Sequence, residues 1–238
     1  MPGTYNQSTA RTIVALDFSS STTALDFVAK LDPTSCKVKV GFELFISSGS
    51  QIVKDLIDRG FDVFLDIKLH DIPNTVAAAC ESACRLGVWM LNIHATGGSS
   101  MMLAAKQAVK AANPKTKLLA VTILTSLDNR DLNDLGINKS LEEQVISLAV
   151  KARELGLDGV VCSANEAKRI KSVCGSDFIV VTPGIRLEDS KIKSEDQKRV
   201  VTPKEAAEAG SDFIVVGRPV TNSSNPTETI KHINSFFN

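Results

Sequence analysis

The sequence predicts a single-domain (β/α)8 TIM barrel, and three observations lead to that fold class. Eight short apolar runs alternate with segments of helical pattern along the whole chain. Several of these runs are continuous Val, Ile and Leu stretches, as expected for parallel strands that are buried on both faces. The chain has 238 residues, close to the roughly 250 that such a barrel uses. No change in composition marks a second domain, so we expect a flexible tail at 1–11 and one barrel domain at 12–238.

The strand candidates are short, apolar and bounded by polar or glycine-containing stretches. They occupy 12–17, 36–41, 62–68, 88–94, 118–124, 159–162, 178–182 and 213–217. An open doubly wound sheet is the alternative architecture for such an alternation. It is disfavoured because no G-x-G-x-x-G sequence follows the first strand.

The segments between the strands carry helix signals. Apolar residues at helical spacing predict helices over 47–59 and 76–86, and Pro73 suits the first turn of the second one. Ser140 begins an S-x-x-E capping box, and Thr202 followed by proline begins a further helix. Strand and helix signals therefore alternate as the barrel requires.

Composition excludes several classes of function. The chain has 27 Lys and Arg and 27 Asp and Glu, which gives a net charge of zero and argues against a generally basic nucleic-acid-binding protein. One Trp and one Tyr provide no aromatic platform for stacked bases. No stretch approaches the roughly 20 apolar residues of a membrane-spanning helix, and the polar N-terminus lacks the apolar region of a secretory signal. We expect a cytoplasmic protein with no nucleic-acid or membrane partner.

The five cysteines point in the same direction. Their number is odd and no C-x-x-C pair is present. We therefore predict reduced, buried thiols of a cytoplasmic protein and not a disulfide framework or a zinc site.

Charged residues stand where the predicted strands end, and barrel active sites form at that end. The densest group is Asp66-x-Lys68-x-x-Asp71, with Lys39 on the neighbouring strand and Asp17 at the end of the first. Residues at i and i+2 of a strand share a face, so Asp66 and Lys68 point into the barrel mouth, where Asp71 can fold over them. Neighbouring carboxylates favour a charged Lys68, which predicts a proton donor and not an amine nucleophile. The pattern favours a catalytic site over a structural ion-pair network, and a self-contained Lys/Asp array over a bound divalent cation.

A second group predicts a phosphate site. The turns after the last two strands each combine a glycine with an arginine, Gly184 with Arg186 and Gly217 with Arg218. Glycine lets the backbone approach an anion, and arginine binds phosphate oxygens in a bidentate manner. The long charged segment 186–201 is interpreted either as a lid or as a solvated loop. His94, at the end of the fourth strand, fits a structural role better than a catalytic one.

Taken together, the motifs identify a family resemblance. They are ALD at 15–17, KVG at 39–41, FLDIKLHDIPNT at 64–75, HA at 94–95, LTS at 124–126, VTPGIR at 181–186 and VGRP at 216–219. In this order and over nearly the whole chain from residue 12, they resemble the orotidine 5′-phosphate decarboxylase family. The resemblance implies decarboxylation of orotidine 5′-phosphate (OMP) to UMP and CO2, the last step of de novo UMP biosynthesis, without a cofactor or a metal ion.

The resemblance also implies a role for each matching residue. The catalytic residues would be Lys39, Asp66, Lys68 and Asp71, with Lys68 delivering a proton to C6 of the pyrimidine. The substrate-binding residues would be Asp17 and Lys39 at the ribose, Thr125 at the pyrimidine edge, and Arg186, Gln197, Gly217 and Arg218 at the phosphate, together with Asp66 and Thr75. Asp71 and Thr75 would complete the site of a neighbouring subunit, which implies a homodimer.

Two other readings remain open at this point. A magnesium-dependent sugar-phosphate decarboxylase or aldolase of the same barrel superfamily shares the D-x-K-x-x-D pattern, and sensitivity to EDTA would distinguish it. A nucleotide-binding barrel with only a scaffolding role would be expected to have lost Lys68 or one of its acids, and all of them are present.

Overall fold

The computed structural model describes residues 10–187 and 200–237, in which eight parallel strands form a closed barrel. The strands are β1 (Thr12–Ala15), β2 (Lys37–Gly41), β3 (Val63–Leu69), β4 (Met90–His94), β5 (Lys117–Val121), β6 (Gly159–Val161), β7 (Ile179–Thr182) and β8 (Phe213–Val216). Each strand pairs with the next one in sequence, and β8 closes the barrel by pairing with β1. The predicted fold class is confirmed, and all eight strand candidates correspond to strands.

Helices connect the strands on the outside of the barrel. They are α1 (Ser21–Val28), α2 (Phe42–Ser48), α3 (Gln51–Asp58), α4 (Pro73–Arg85), α5 (Gly98–Ala112), α6 (Asn129–Asp134), α7 (Leu141–Glu154), α8 (Ala164–Cys174), α9 (Pro203–Glu208), α10 (Arg218–Thr221) and α11 (Pro226–Asn234), with short 3-10 turns at Ala95–Gly97 and Ser235–Phe237. The capping signals are confirmed: Ser140 and Thr202 both cap their helices through capping boxes. The helix predicted over 47–59 is wrong in extent, because Gly49 adopts a φ of +66° and separates α2 from α3.

Strand side chains alternate between two apolar cores. The inner one fills the barrel with residues such as Ile13, Phe64, Met90 and Leu119, all of which are almost fully buried. The outer and larger one lies between the strands and the surrounding helices. A barrel interior filled in this way is a packed core, so only the mouth at the carboxyl ends of the strands is left open for chemistry.

The opposite end of the barrel is held by aspartates that precede the strands. Oδ2 of Asp158 accepts a hydrogen bond from Lys106 Nζ at 3.0 Å and from a backbone N–H at the start of β5. Oδ2 of Asp212 does the same with Lys171 Nζ at 2.6 Å and a backbone N–H of β7. These partly buried carboxylates join neighbouring strands to the helix layer, which is a structural use of charge.

Residues 10–12 are anchored to the barrel. Of the residues expected in the tail, Ala10 is buried and the carbonyl of Arg11 accepts a hydrogen bond from Ile214 N. The Asn234 side chain in α11 bonds to the backbone of Arg11 and Thr12. All five cysteines are buried and free, as predicted. In the described ranges, none of the helices combines the length and the apolar character needed to cross a membrane.

Candidate active site

A cavity of about 400 Å³ opens at the carboxyl ends of the strands. Eight of the predicted site residues line it: Asp17, Lys39, Asp66, Lys68, Thr125, Arg186, Gly217 and Arg218. They come from loops and strand ends on both sides of the mouth, so the fold brings together residues that are up to about 200 positions apart in the chain. Gln197 lies outside the described residues.

The charged side chains form an alternating array in one corner of this cavity. Lys39 Nζ lies 3.2 Å from Asp17 Oδ1 and 3.4 Å from Asp66 Oδ2. Lys68 Nζ lies 2.7 Å from Asp66 Oδ1. The order is therefore Asp17, Lys39, Asp66, Lys68, with negative and positive charges in turn. Lys68 ends the array and is the more exposed of the two lysines, its side chain 25% accessible against 10% for Lys39.

The array keeps its inner members ionised in spite of burial. Burial alone would lower the pKa of Lys39, but the carboxylates of Asp66 and Asp17 outweigh it and the pKa is raised. Burial alone would raise the pKa of Asp66, but Lys39, Lys68 and a hydrogen bond from Asn92 outweigh it and the pKa is lowered. Opposite charges at this distance favour the charged forms. A carboxylate between two ammonium groups is thus present over the neutral pH range.

Lys68 owes its direction to an irregular backbone. Leu65 pairs with Leu91 and Leu69 pairs with Ile93, so four steps along β3 face two steps along β4. Within this bulge Lys68 has a φ of +43°, and it is the one residue other than glycine with positive φ in the described part of the chain. Bulges commonly redirect a side chain beside an active site.

The fully buried Asn92 on β4 is a site residue that the sequence reasoning missed. Its Oδ1 accepts a hydrogen bond from the Lys68 backbone N–H at 2.8 Å, and its Nδ2 donates to Asp66 Oδ1 at 2.7 Å. The available signal was an asparagine inside the apolar run MLNIH. Buried amides occur where they have hydrogen-bond partners, and such partners often belong to a site.

Asp71 and Thr75 do not reach the array of their own chain. Both are exposed, and neither lines the cavity. Asp71 Oδ1 accepts a hydrogen bond from the backbone N–H of Ile72 at 2.6 Å, just before α4 begins at Pro73. Across 10–187 and 200–237 its carboxylate forms no ion pair with Lys68. The expectation that Asp71 folds over Asp66 and Lys68 of the same chain is therefore corrected, because the start of α4 directs it away.

The two arginine turns, which follow β7 and β8, also line the cavity. Gly217 ends β8, Arg218 begins α10, and both line the cavity with Arg186 and the Pro183–Gly184 turn. A Cβ at Gly217 would lie 3.7 Å from Asp17 Oδ2, an ordinary contact distance, which places this turn beside the Asp17 end of the array. Arg186 N donates to Val201 O, and Val201 N donates to Gly184 O, which joins the two ends of the long charged segment at the cavity rim.

His94 lies beside the array but does not line the cavity. Its ring centroid is 5.4 Å from that of the exposed His70. Burial lowers the pKa of His94, and the neighbouring His70 and Lys68 lower it further. A neutral imidazole at this position fits a packing role, as expected from the sequence.

The carboxylates at the mouth are arranged around lysines. Lys39 Nζ lies between Asp17 and Asp66, where a cation would otherwise sit. In the described ranges no three His, Cys, Asp or Glu side chains converge as ligands of a metal ion would. The donor set therefore matches a Lys/Asp array better than a divalent-cation site.

The comparisons with known proteins agree with this geometry. The chain is 53% identical to the orotidine 5'-phosphate decarboxylase of Pseudoalteromonas translucida (strain TAC 125), over 93% of this chain and 94% of that protein. It is 54% identical to the enzyme of the same name from Legionella pneumophila (strain Corby), over 93% and 96% of the two chains. The crystal structure of orotidine 5'-phosphate decarboxylase from Lactobacillus acidophilus is similar with a TM-score of 0.85 and 40% identity, covering 96% of this chain and 99% of that one. A family model described as orotidine 5'-phosphate decarboxylase / HUMPS family matches residues 10–233, and the chain belongs to that family.

Proposed function

We propose that this protein decarboxylates OMP to UMP and CO2 and so completes the synthesis of UMP. The observation that carries the proposal is the alternating array of Asp17, Lys39, Asp66 and Lys68 in a cavity that Arg218 also lines. Relatives of this chain at 53% and 54% identity bear the name of this decarboxylase.

The lining of the cavity supports one orientation of the nucleotide. The backbone at Gly217 and the guanidinium of Arg218 would hold the phosphate, with Arg186 and Gln197 beside them. Asp17 and Lys39 belong to the ends of β1 and β2, which lie between β8 and β3 in the barrel, and would bind the ribose hydroxyls. The pyrimidine would then lie between Thr125 and the array. The apolar side chains of Ile123 and Leu124 also line this cavity. Arginine forks and glycine backbone are well suited to phosphate oxygens.

In this orientation C6 of the pyrimidine faces Lys68. The bond between C6 and the carboxyl carbon breaks, CO2 leaves, and the electron pair remains on C6 in the plane of the ring. The ammonium of Lys68 stabilises this charge and transfers a proton to C6, which leaves a neutral amine that regains a proton from solvent. Asp66 holds the ammonium in place and puts a negative charge near the substrate carboxylate. Binding energy from the phosphate would order the site, so a substrate without phosphate should lose rate as well as affinity.

We propose that the reaction needs no metal ion or cofactor. Support comes from the donor set: Lys39 and Lys68 occupy the cationic positions beside Asp66. A magnesium-dependent sugar-phosphate enzyme of the same barrel superfamily would need these carboxylates for the ion. Activity in the presence of EDTA separates the two proposals.

We also propose that the enzyme is a homodimer in which Asp71 and Thr75 complete the partner's site. Asp71 and Thr75 lie exposed after β3, with the exposed Ile72 between them in sequence, and Phe42 and Ile46 are exposed on α2, which follows the neighbouring strand β2. Ile72 is 66% exposed and Ile46 is 78% exposed, and such exposed apolar side chains are typical of an interface. The Phe42 ring lies 5.8 Å from Lys68 Nζ, so this surface adjoins the array.

Complementation between two inactive variants tests the shared site. Lys68→Ala and Asp71→Ala chains are mixed under conditions that exchange subunits. If Asp71 serves the partner, each mixed dimer has one intact site, and about a quarter of the wild-type activity returns by random pairing. If Asp71 serves its own chain, the mixture stays inactive, and if Asp71 has no role, Asp71→Ala alone is active; either result refutes the shared site.

The buried free thiols support a reducing compartment, and we place the enzyme in the cytoplasm. Localisation of a tagged chain in cell fractions checks this assignment.

The decisive experiment is the ultraviolet absorbance of the purified protein with OMP, with and without EDTA. We expect loss of OMP and formation of UMP at equal rates in both conditions. We expect Lys68→Ala to abolish turnover while UMP still binds. Absence of turnover together with magnesium-dependent activity on a sugar phosphate would refute the proposal, and near-normal activity of Lys68→Ala would refute the role of Lys68.

A further inference from the structure

We infer that Asn92 is a positioning residue that fixes both Lys68 and Asp66 in their reactive arrangement. The inference rests on the proposed decarboxylase function, because it concerns the same array. Asn92 touches neither the cavity nor a substrate bound there. It would act through its hydrogen bonds to the two residues that do line the cavity.

The bulge in β3 creates the need for such a residue. Between Leu65 and Leu69 the strand leaves its regular register with β4, and regular backbone hydrogen bonds are interrupted at a bulge. Lys68 lies inside it with a φ of +43°, a region that residues with a Cβ rarely adopt. This conformation persists only where the surroundings hold it.

Asn92 is the residue of β4 that lies opposite the bulge, between the paired residues Leu91 and Ile93. Its Oδ1 accepts the hydrogen bond from the Lys68 backbone N–H at 2.8 Å, and so takes the place of a regular bond between the strands. A buried backbone N–H needs an acceptor, and here the acceptor also selects the unusual backbone conformation. The side chain of Lys68 leaves the strand in the direction that this conformation sets.

The other end of the same amide orients Asp66. Nδ2 of Asn92 donates to Oδ1 of Asp66 at 2.7 Å, and that same oxygen accepts from Lys68 Nζ at 2.7 Å. Lys39 Nζ lies 3.4 Å from Oδ2, the other carboxylate oxygen of Asp66. Since a backbone N–H must meet the amide oxygen and a carboxylate must meet the amide nitrogen, only one orientation of Asn92 satisfies both partners.

The surroundings of Asn92 give it no competing role. It is 0% exposed, and Met90, two residues earlier on the same face of β4, belongs to the apolar core inside the barrel. A buried amide among apolar side chains is costly unless its groups are bonded. Its amide oxygen and its amide nitrogen both bond to residues of the array, so we assign Asn92 to the geometry of the reaction.

The first test is Asn92→Ala, compared with the matched control Thr116→Val. Thr116 is equally buried, and its Oγ1 donates to the carbonyl of Val88 at the other end of the same β4 region. Misplacing a reacting group by about 1 Å costs on the order of 100-fold in rate. We expect kcat of Asn92→Ala for OMP to fall about 100-fold with KM within about threefold of wild type. Thr116→Val should keep its kcat, although it also loses a buried hydrogen bond.

The second test reads the backbone directly and needs no turnover. Hydrogen exchange of the Lys68 amide is measured in the wild type, Asn92→Ala and Thr116→Val. We expect faster exchange at Lys68 in Asn92→Ala alone, because only that variant removes the acceptor of this N–H. If the wild type fails to turn over OMP, the proposed function fails, and this measurement still decides whether Asn92 holds Lys68.

The third test is the isosteric variant Asn92→Asp, which also covers the case in which Asn92→Ala does not fold. A protonated carboxyl at this position can donate to Asp66 and accept from Lys68 N, as the amide does. Once ionised, it would repel Asp66, which would turn away from Lys68. We therefore expect kcat of Asn92→Asp relative to wild type to fall as pH rises.

The kinetic and exchange measurements can each overturn the inference, through any of four results. They are a kcat of Asn92→Ala within threefold of wild type, a loss confined to KM, an equal loss in Thr116→Val, or unchanged exchange of the Lys68 amide. A pH profile of Asn92→Asp parallel to that of the wild type overturns it as well.

Discussion

Asp66→Asn tests the array most directly, because two lysines depend on this carboxylate. Lys39 has a side chain that is only 10% exposed, and Asp66 is its one buried counter-charge in the described part of the chain, at 3.4 Å. Its other partner, Asp17, is 63% exposed. Removing one member of a buried ion pair leaves the other uncompensated, which costs about 3–5 kcal/mol. Because Asp17 still faces Lys39, we expect the lower end, about 3 kcal/mol.

Thermal melting at neutral pH measures this loss. For a chain of this size, 1 kcal/mol lowers the Tm by about 2–4 °C, so Asp66→Asn should melt roughly 6–12 °C below the wild type. Lys68→Ala is the matched control, because Asp66 keeps Lys39 and Asn92 as partners when Lys68 is removed. We expect its Tm to fall by less than about 3 °C, although both variants lose turnover.

The pH dependence of the Tm checks whether the ionised form of Asp66 is the stabilising one. The pKa of Asp66 is lowered in the folded protein. Its stabilisation is therefore present above the ordinary carboxyl pKa and is lost as pH falls through the lower folded value. The difference in Tm between wild type and Asp66→Asn should narrow in acid. If Asp66→Asn melts within about 2 °C of the wild type at neutral pH, or if the difference widens in acid, the account of the array is wrong.

Three further predictions concern other parts of the mouth. Arg218→Ala should raise KM for OMP by about 10- to 100-fold, the loss of one or two charge-assisted hydrogen bonds, and an unchanged KM in steady-state kinetics would count against the phosphate assignment. Burial lowers the pKa of His94, so the wild type loses stability as pH falls below the ordinary histidine pKa. We therefore expect the Tm of His94→Gln to depend less on pH than the wild-type Tm between about pH 5 and 7. An equally steep dependence of Tm on pH in the variant would contradict this. Gly41→Ala would place a Cβ 2.9 Å from Lys39 Nζ, so we expect lower kcat in a folded protein, and full activity would show that the ammonium can move without consequence.

The fold was largely predictable because strand and helix signals alternate with so few interruptions. Parallel strands buried on both faces produce continuous apolar runs, and all eight were recognisable. The helix predicted over 47–59 failed because helical spacing continues across Gly49, while the backbone there turns to a φ of +66°. Periodicity reports the buried face of a segment, and it does not report where glycine interrupts the backbone.

The site was predictable residue by residue, and its geometry was only partly so. Asp66 and Lys68 were placed on one face by strand alternation, yet their proximity depends on a bulge that the alternation rule does not contain. The same rule gave no reason to single out Asn92, whose role arises from pairing with a strand about 25 residues away. Asp71 follows the array in sequence, but the turn into α4 carries it to the exposed side. Sequence proximity therefore did not indicate which of the predicted residues meet within one chain.

Asp–Lys pairs occur at both ends of the barrel, and the hydrogen bonds around them differ between the two ends. At the closed end, Oδ2 of Asp212 accepts hydrogen bonds from a backbone N–H of β7 and from Lys171 in α8, so it joins a strand to a helix. In the array Asp66 bonds only to side chains, and the Lys68 ammonium at its end faces open space in the cavity. Lys171 Nζ also donates to the carbonyls of Ser176 and Phe178 and is held on several sides, whereas Lys68 is held by Asp66 and lines the cavity. The partners of each lysine therefore distinguish the structural pair from the pair at the cavity, and no pattern of Asp and Lys in the sequence reveals them.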